Sequence, residues 1–450
     1  MIHLRLSELI SSLSYALDIT EGQPEGHCIR CCWLGMAVGK ELGLEEHALW
    51  ELYYVLLLKD LGCSSNASRI CELYLADDLN FKRDFKWVDG SLPQVLRFVL
   101  RHTGAEAGLA TRLKTLSTIF SNGDAIAQEL IQTRCQRGAD IARRLHFNEG
   151  VAMGIHSLDE HWDGSGRPDG LSRQNISIYS QIALLAQVAD VIHHTSGPEE
   201  AIVEVRRRGN TWFDPELVKA FNAAVSNKDV WQTLASPSVE THVLALEPGC
   251  VETPMSEEFF DDIAEAFAMV VDAKSPYTAG HSARVGLYTT LLAEDLGLDE
   301  QRRRWLKRGA LLHDVGKLGV SNRILDKPGK LTDAEFESVK MHAVYTDNIL
   351  GRVRAFGELA QISSAHHERL DGKGYPKGLC SEDITLETRI ITTADIFDAI
   401  TAERPYRAAV PLQKTLEIMK QSIGTAIDPD CFASLKSLTE RHSQLFSSLE

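Results

Sequence analysis

At 450 residues the chain is too long for one ordinary core, so two or three domains are expected. Its 44% apolar and 24% charged content is that of a globular protein. No apolar run approaches the ~18 residues that span a bilayer, and the opening MIHLRLSELISSL lacks the charged region and long apolar stretch of a signal peptide. A cytoplasmic protein without a membrane partner is therefore expected, its nine cysteines reduced and in no disulfide framework. A net charge of −16 argues against binding a nucleic-acid polymer, which needs a broad basic surface. It leaves room for a small phosphate ligand held by a few local cations or metal ions.

Apolar residues recur at helical spacing nearly everywhere, from LRLSELISSLSYAL near the start to DIAEAFAMVVDA in the second half. The fold class is all-α. Cys28, Cys31 and Cys32 form a C-x-x-C-C cluster with no second pair at zinc-finger distance, and read as small helical core residues. The arginine runs 206–208 and 302–304 read as solvated helix faces. Residues 226–252, with two prolines and mixed polarity, read as a linker. Thr253 and Pro254 then restart a helix as N-cap and first-turn proline, with Glu257 and Glu258 near its positive end.

The two halves repeat each other. Gly26-His27-x-x-Arg30 matches Gly280-His281-x-x-Arg284, and LLKDLG around Asp60 matches LLHDVG around Asp314. Asp60 stands 33 residues after His27, as Asp314 does after His281. DGSGRP at 163–168 answers DGKGYP at 371–376, and Ala189-Asp190 is paired with Ala394-Asp395. Four matches in one order indicate a duplicated domain.

In the second half His313 and Asp314 lie in the apolar stretch ALLHDVGKLG, where burying both needs a reason such as a metal. Lys317 follows Asp314 by three residues, placed to meet a phosphate oxygen. A capping box of Thr332 and Glu335 opens the helix that carries His342. His366, His367 and Asp395 follow, and His281 opens the series. Five histidines and two aspartates suffice for two divalent metals bridged by Asp314, the arrangement that suits phosphoester cleavage. The mixed imidazole and carboxylate set favours iron or manganese over magnesium.

The order H-x-x-R, HD-x-G-K, His, HHE-x-x-DG-x-GYP and D-I-x-D-A resembles the HD-GYP family of bacterial cyclic dinucleotide phosphodiesterases, over about 175 residues. The resemblance implies two tandem HD-type helical domains: a degenerate regulatory copy at 1–225, the linker at 226–252, and a catalytic copy at 253–450. It implies one metal on His281, His313, Asp314 and Asp395, and a second on His342, His366, His367 and the shared Asp314. It gives Lys317 the scissile phosphate, makes Arg404 and Arg407 of RPYR phosphate-binding residues, and sets Tyr375 close to the site. Family members with three metals carry a glutamate where this chain has Tyr277, so two are expected.

In the first half Lys59 stands at the place of His313, Cys135 near that of His342, Leu158 and Asp159 at the His366-His367 pair, and Arg167 at the tyrosine of GYP. His27, Asp60 and Asp190 survive, but a lysine beside them disfavours a metal. This copy is expected to dock on the catalytic half and to regulate or support it. The substrate implied is 3′,3′-cyclic GMP-AMP or cyclic di-GMP, and the tandem arrangement resembles phosphodiesterases of the former. The competing readings are a non-hydrolytic cyclic dinucleotide sensor and an HD-type nucleotidase or (p)ppGpp hydrolase.

Overall fold

The computed structural model describes residues 5–249, 256–353, 356–403 and 408–446. The chain divides into two compact units, 1–255 and 256–450. Among the described residues there are helices and three isolated bridges but no strand, and no helix is long and apolar enough to cross a membrane.

The first unit runs through α1 (Leu6–Thr20), α2 (His27–Glu41), α3 (Glu46–Leu58), α4 (Ala67–Tyr74), α5 (Asp78–Phe85), α6 (Leu92–His102) and α7 (Leu109–Arg144). It continues with α8 (Glu149–His156), α9 (Ile178–Ser196), α10 (Pro198–Arg207), α11 (Pro215–Ser226), α12 (Lys228–Leu234) and α13 (Val239–Ala245). The second unit has α14 (Glu257–Asp272), α15 (His281–Asp295), α16 (Glu300–Leu312), α17 (Asn322–Leu325) and α18 (Asp333–Gly351). Then come α19 (Gly357–Ser364), α20 (Leu386–Thr401), α21 (Leu412–Lys420) and α22 (Pro429–Arg441).

Two expectations about the junction change. The stretch 226–252 holds α12 and α13, which belong to the first unit: the Trp33 indole N–H donates to the Val230 carbonyl (2.9 Å), and the Ser7 and Tyr54 hydroxyls donate to Glu247 (2.7 and 2.6 Å). Each helix is only seven residues long, too short to show a helical period between the prolines. Thr253 and Pro254 lie outside the described residues; the cap of α14 is Ser256, whose side chain accepts from the Phe259 N–H, with Glu257 and Glu258 in the first turn.

Within each unit the same joints recur. Gly26 (φ 80°) and Gly280 (φ 70°) precede α2 and α15 in the left-handed region, which favours glycine. A Cβ on Gly62 would fall 1.9 Å from the Arg134 carbonyl oxygen, and one on Gly316 1.9 Å from that of His342. These contacts let the turn after each His-Asp or Lys-Asp pair lie directly against α7 or α18. They also place Arg134 at the position of His342, with Cys135 next to it. Buried Glu160 accepts from the N–H groups of Asp169 and Gly170, as buried Glu368 does from those of Lys377, Gly378 and Leu379. Each of these carboxylates holds its glycine-rich loop closed. The first unit adds α4, α5, α6 and the start of α7 between its copies of these joints, with a small core of its own around Phe81, Phe98 and Ile119.

Candidate metal centre

The second unit's core of Val285, Leu292, Ala310, Ile390 and Phe397 packs α15, α16 and α20 together and so positions three site residues. His281 begins α15, His313 follows the last turn of α16, and Asp395 lies inside α20. His342 projects from α18, where the Thr332–Glu335 capping box is formed in both directions. His366 and His367 follow α19.

Each imidazole is oriented from behind. The Nδ1 of His313 lies 2.6 Å from the Ala310 carbonyl, that of His342 2.6 Å from Val339, and that of His366 2.5 Å from Ser363. Each such N–H donates outward, so each Nε2 faces inward as a lone pair. His281 is held by a carboxylate instead, its Nδ1 2.7 Å from Asp398 Oδ2. Arg284 holds that carboxylate from its other side, with Nε at 2.6 Å and Nη2 at 3.0 Å.

Asp314 stands between two groups. Its Oδ2 lies 3.4 Å from His281 Nε2 and 3.3 Å from His313 Nε2. Its Oδ1 lies 3.6 Å from His342 Nε2 and 3.7 Å from His366 Nε2. Asp395 Oδ1 adds 3.4 Å to His281 and 3.7 Å to His313. His342, His366 and His367 have a nitrogen each within 4.8 Å of the others, as do the donor atoms of His281, His313 and Asp395. One carboxylate oxygen thus faces each set of donors.

The donors fit divalent cations. His281 Nε2, His313 Nε2 and Asp314 Oδ1 are buried and hydrogen-bond to nothing, a cost of about 1–3 kcal/mol for each orphan. Burial pushes the His342 imidazole down to about 4 and that of His367 to about 3, so both are neutral and free to ligate. His313 is pushed up to about 10: burial opposes its charge, but Asp314 and Asp395 outweigh burial. The two carboxylates thus surround His313 with negative charge that a cation would offset.

Lys317 pairs with Asp314 and is about one-fifth exposed. The Tyr375 ring lies 4.8 Å from that of His367, centroid to centroid. Arg404 and Arg407 lie outside the described residues.

The first unit has the same frame and a different filling. His27 Nδ1 lies 2.7 Å from Asp190 Oδ2, and Arg30 Nε 2.7 Å from Asp190 Oδ1. Asp190 is therefore the counterpart of Asp398, and Gln187, three residues earlier, takes the place of Asp395. This corrects the pairing of Asp190 with Asp395. Lys59 pairs with Asp60 and reaches His27 Nε2 (3.2 Å) and Gln187 Oε1 (3.1 Å). Lys86 reaches the same Gln187 oxygen (2.9 Å), Glu21 (2.9 Å) and Asp60 (3.4 Å). Arg134 pairs with Asp159. Fixed cations occupy the ground that stays open between the candidate donors of the second unit. Burial first, then the Lys59 ammonium, pushes His27 down to about 4. The cysteines nearby are core residues as expected: Cys28, Cys31 and Cys32 are fully buried, and burial pushes their thiols up, away from a ligating thiolate. The arginine runs are mostly paired at the surface, except Arg208, which is buried over the Trp212 ring at 4.1 Å.

Asp398 and Gln187 escaped sequence reasoning. Their signal was present, since D-I-F-D and Q-V-A-D share a spacing of three.

Comparison with known proteins agrees with this geometry. The profile of the family described as HD domain matches residues 116–217 and 265–431, one segment in each unit. The chain is 53% identical over 444 residues to the "3'3'-cGAMP-specific phosphodiesterase 3" of Vibrio cholerae, covering 98% of this chain and 96% of that one. It is 34% identical over 194 residues to a "Cyclic di-GMP phosphodiesterase" of Thermotoga maritima, covering 42% of this chain and 52% of that one. The crystal structure of a cyclic GMP-AMP specific phosphodiesterase of V. cholerae, 49% identical, superposes with a TM-score of 0.67 over 97% of this chain and 98% of that one. The chain belongs to the HD-domain family, as a member of its HD-GYP type that carries the domain twice.

Proposed function

We propose that the second unit hydrolyses a phosphodiester of a cyclic dinucleotide to give the linear dinucleotide, with 3′,3′-cyclic GMP-AMP as the preferred substrate. The observation that carries the chemistry is Asp314, with one oxygen toward His281 and His313 and the other toward His342 and His366. Identity of 53% along nearly the whole length of a protein named for 3′,3′-cyclic GMP-AMP supports the substrate.

In this reading His281, His313, Asp395 and Asp314 hold one divalent ion, and His342, His366, His367 and Asp314 hold a second. Iron or manganese suits this donor set. When bound, two such ions supply Lewis acidity toward phosphorus and lower the pKa of water. The chain's own residues position the substrate. Lys317 turns its ammonium from Asp314 to a phosphoryl oxygen as charge builds there, and Tyr375 walls the open side against His367. Water adds to phosphorus, the P–O3′ bond breaks, and the 3′-oxygen leaves with a proton. Arg404 and Arg407 of the RPYR string are assigned phosphate binding by the family resemblance alone. The first unit, its metal positions filled by Lys59, Lys86 and Arg134, supports or regulates this centre without turnover.

The test is turnover of 3′,3′-cyclic GMP-AMP and cyclic di-GMP side by side, with anaerobically metal-loaded protein and an Asp314→Ala control. Linear product from the parent protein and none from the control is expected, with the faster rate on 3′,3′-cyclic GMP-AMP. Metal-replete protein that binds either nucleotide and yields no product would refute hydrolysis, and a faster rate on cyclic di-GMP would refute the preference.

A further inference from the structure

In the first unit, the ground that corresponds to the catalytic cleft opens into a cavity of about 1080 Å³. Its lining includes Lys86, Arg134, Asp159 and Gln187, from the cation-filled copy of the metal centre. Arg167 and Arg207 also line it. Phe81, Phe85, Phe98 and Phe120, contributed by the inserted helices, form an aromatic wall, and Trp212 stands with the loop that carries Arg167. The volume lies slightly above the ~300–1,000 Å³ of small-molecule sites, room for a dinucleotide.

The chemistry of the lining selects among ligands. A metal is disfavoured, because Lys59 and Lys86 already neutralise Asp60 and Glu21. The lining carboxylates are engaged: Asp89 by Arg207, Asp124 by Arg167, Asp159 by Arg134, and Asp163 by the Ser165 N–H. The weakest of these pairs is the decisive one. Arg167 meets Asp124 at 3.3 Å, and that carboxylate is fully exposed. An exposed pair is worth about 0–1 kcal/mol, so a phosphate displaces Asp124 at little cost. Arg167 stands where the second unit has Tyr375, which turns the loop from a wall into an anion hook. Beside it a stack is already built: His161 lies on Trp212 with centroids 4.1 Å apart and planes at 18°, and Arg208 packs on the Trp212 ring at 4.1 Å. That stack fills both faces of Trp212 and stiffens this side, while the exposed rings of Phe85 and Phe120 offer flat faces on which a base stacks.

We infer that this cavity binds a nucleotide of dinucleotide size, its phosphate on Arg167 and a base against the aromatic wall, and does not hydrolyse it. The inference gives the proposed regulatory role of the first unit its ligand, and it rests on that reading only for its consequence. The binding itself depends on neither metal nor turnover.

The experiment is equilibrium dialysis of the full-length, chelator-stripped protein against labelled 3′,3′-cyclic GMP-AMP, where loss of metal silences hydrolysis. One saturable site per chain is expected. Arg167→Glu weakens it by roughly tenfold or more, the scale of a charge-assisted hydrogen bond, and Lys317→Glu in the second unit leaves it in place. Phe120→Ala, whose parent ring is 51% exposed and carries little of the fold, weakens it as well. Thermal unfolding of each variant separates lost binding from lost structure. No saturable binding by the parent protein would overturn the inference. So would binding that survives Arg167→Glu and Phe120→Ala but is lost with Lys317→Glu. Failure of the hydrolytic reading would leave these results standing.

Discussion

Asp398→Asn tests how the metal centre is held. The Asp398 carboxylate receives His281 Nδ1 at 2.7 Å and the Arg284 guanidinium at 2.6 and 3.0 Å, and is itself buried. An amide of the same shape keeps one acceptor oxygen and turns an NH₂ toward one of two donors. At least one charge-assisted hydrogen bond is lost, about 1.5–3 kcal/mol. Arg284 is 38% exposed on its side chain and recovers part of this from water, whereas His281 has no such recourse. The loss falls on the orientation of its ring and hence on the metal. A 10–100-fold drop in metal affinity is typical when such an outer partner is removed, about 1.4–2.7 kcal/mol, which matches the hydrogen-bond figure. Competition against a graded set of chelators measures it directly. The molecule contains its own control. Asp190→Asn breaks the same geometry around His27 and Arg30, and should lower first-unit stability without changing metal content. An affinity within twofold of the parent for Asp398→Asn would refute the reasoning, as would an equal metal loss in Asp190→Asn.

Gly316→Ala places a Cβ 1.9 Å from the His342 carbonyl oxygen and 2.7 Å from the Thr346 nitrogen, both backbone atoms that cannot turn aside. Denaturant unfolding should show second-unit stability lowered by about 3 kcal/mol, while Gly351→Ala, open to space, stays within about 1 kcal/mol of the parent. Equal midpoints for the two variants would count against the close contact. Acid should act on the first unit through His27, neutral in the fold to about 4 but titrating near 6.5 when unfolded. Between these values the unfolded chain binds more protons, so this contribution is complete above 6.5 and fades as pH falls toward 4. It amounts to about 2 kcal/mol between pH 6.5 and 5. Burial pushes Asp18 up to about 6, with the opposite sign in the same window, so the readout is the slope of the parent against that of His27→Gln. Parallel urea midpoints at pH 6.5 and 5 would refute the assignment.

The donors of the second unit were legible because polar residues in apolar helical stretches are costly and their spacing is short and fixed, as in His313-Asp314 and His366-His367. Less legible was what stands behind them. Asp395 and Asp398 lie three residues apart on one helix, nearly one turn, so both face the same side and both fit the apolar pattern around them. Pairing Asp190 with either one preserves that pattern; only the partner of the histidine Nδ1 decides, and it comes from a helix more than a hundred residues away. The same ambiguity concealed Gln187. The short helices of 226–252 were missed for a related reason, since seven residues cannot show a period and their anchors, Trp33 and Ser7, lie far back in the chain. The corrected pairing changes what the degenerate copy means. It has kept His27, Arg30 and Asp190, which fasten α2 to α9, and Asp60, and has lost the counterparts of His313, His342, His366, His367 and Asp395. In their place Lys59 and Lys86 supply fixed positive charge to Asp60, Glu21 and Gln187. A buried carboxylate left without a cation would cost several kcal/mol. The lysines therefore let the first unit stand without metal while its cleft stays open, and an open cleft that has no metal is suited to binding and release rather than turnover.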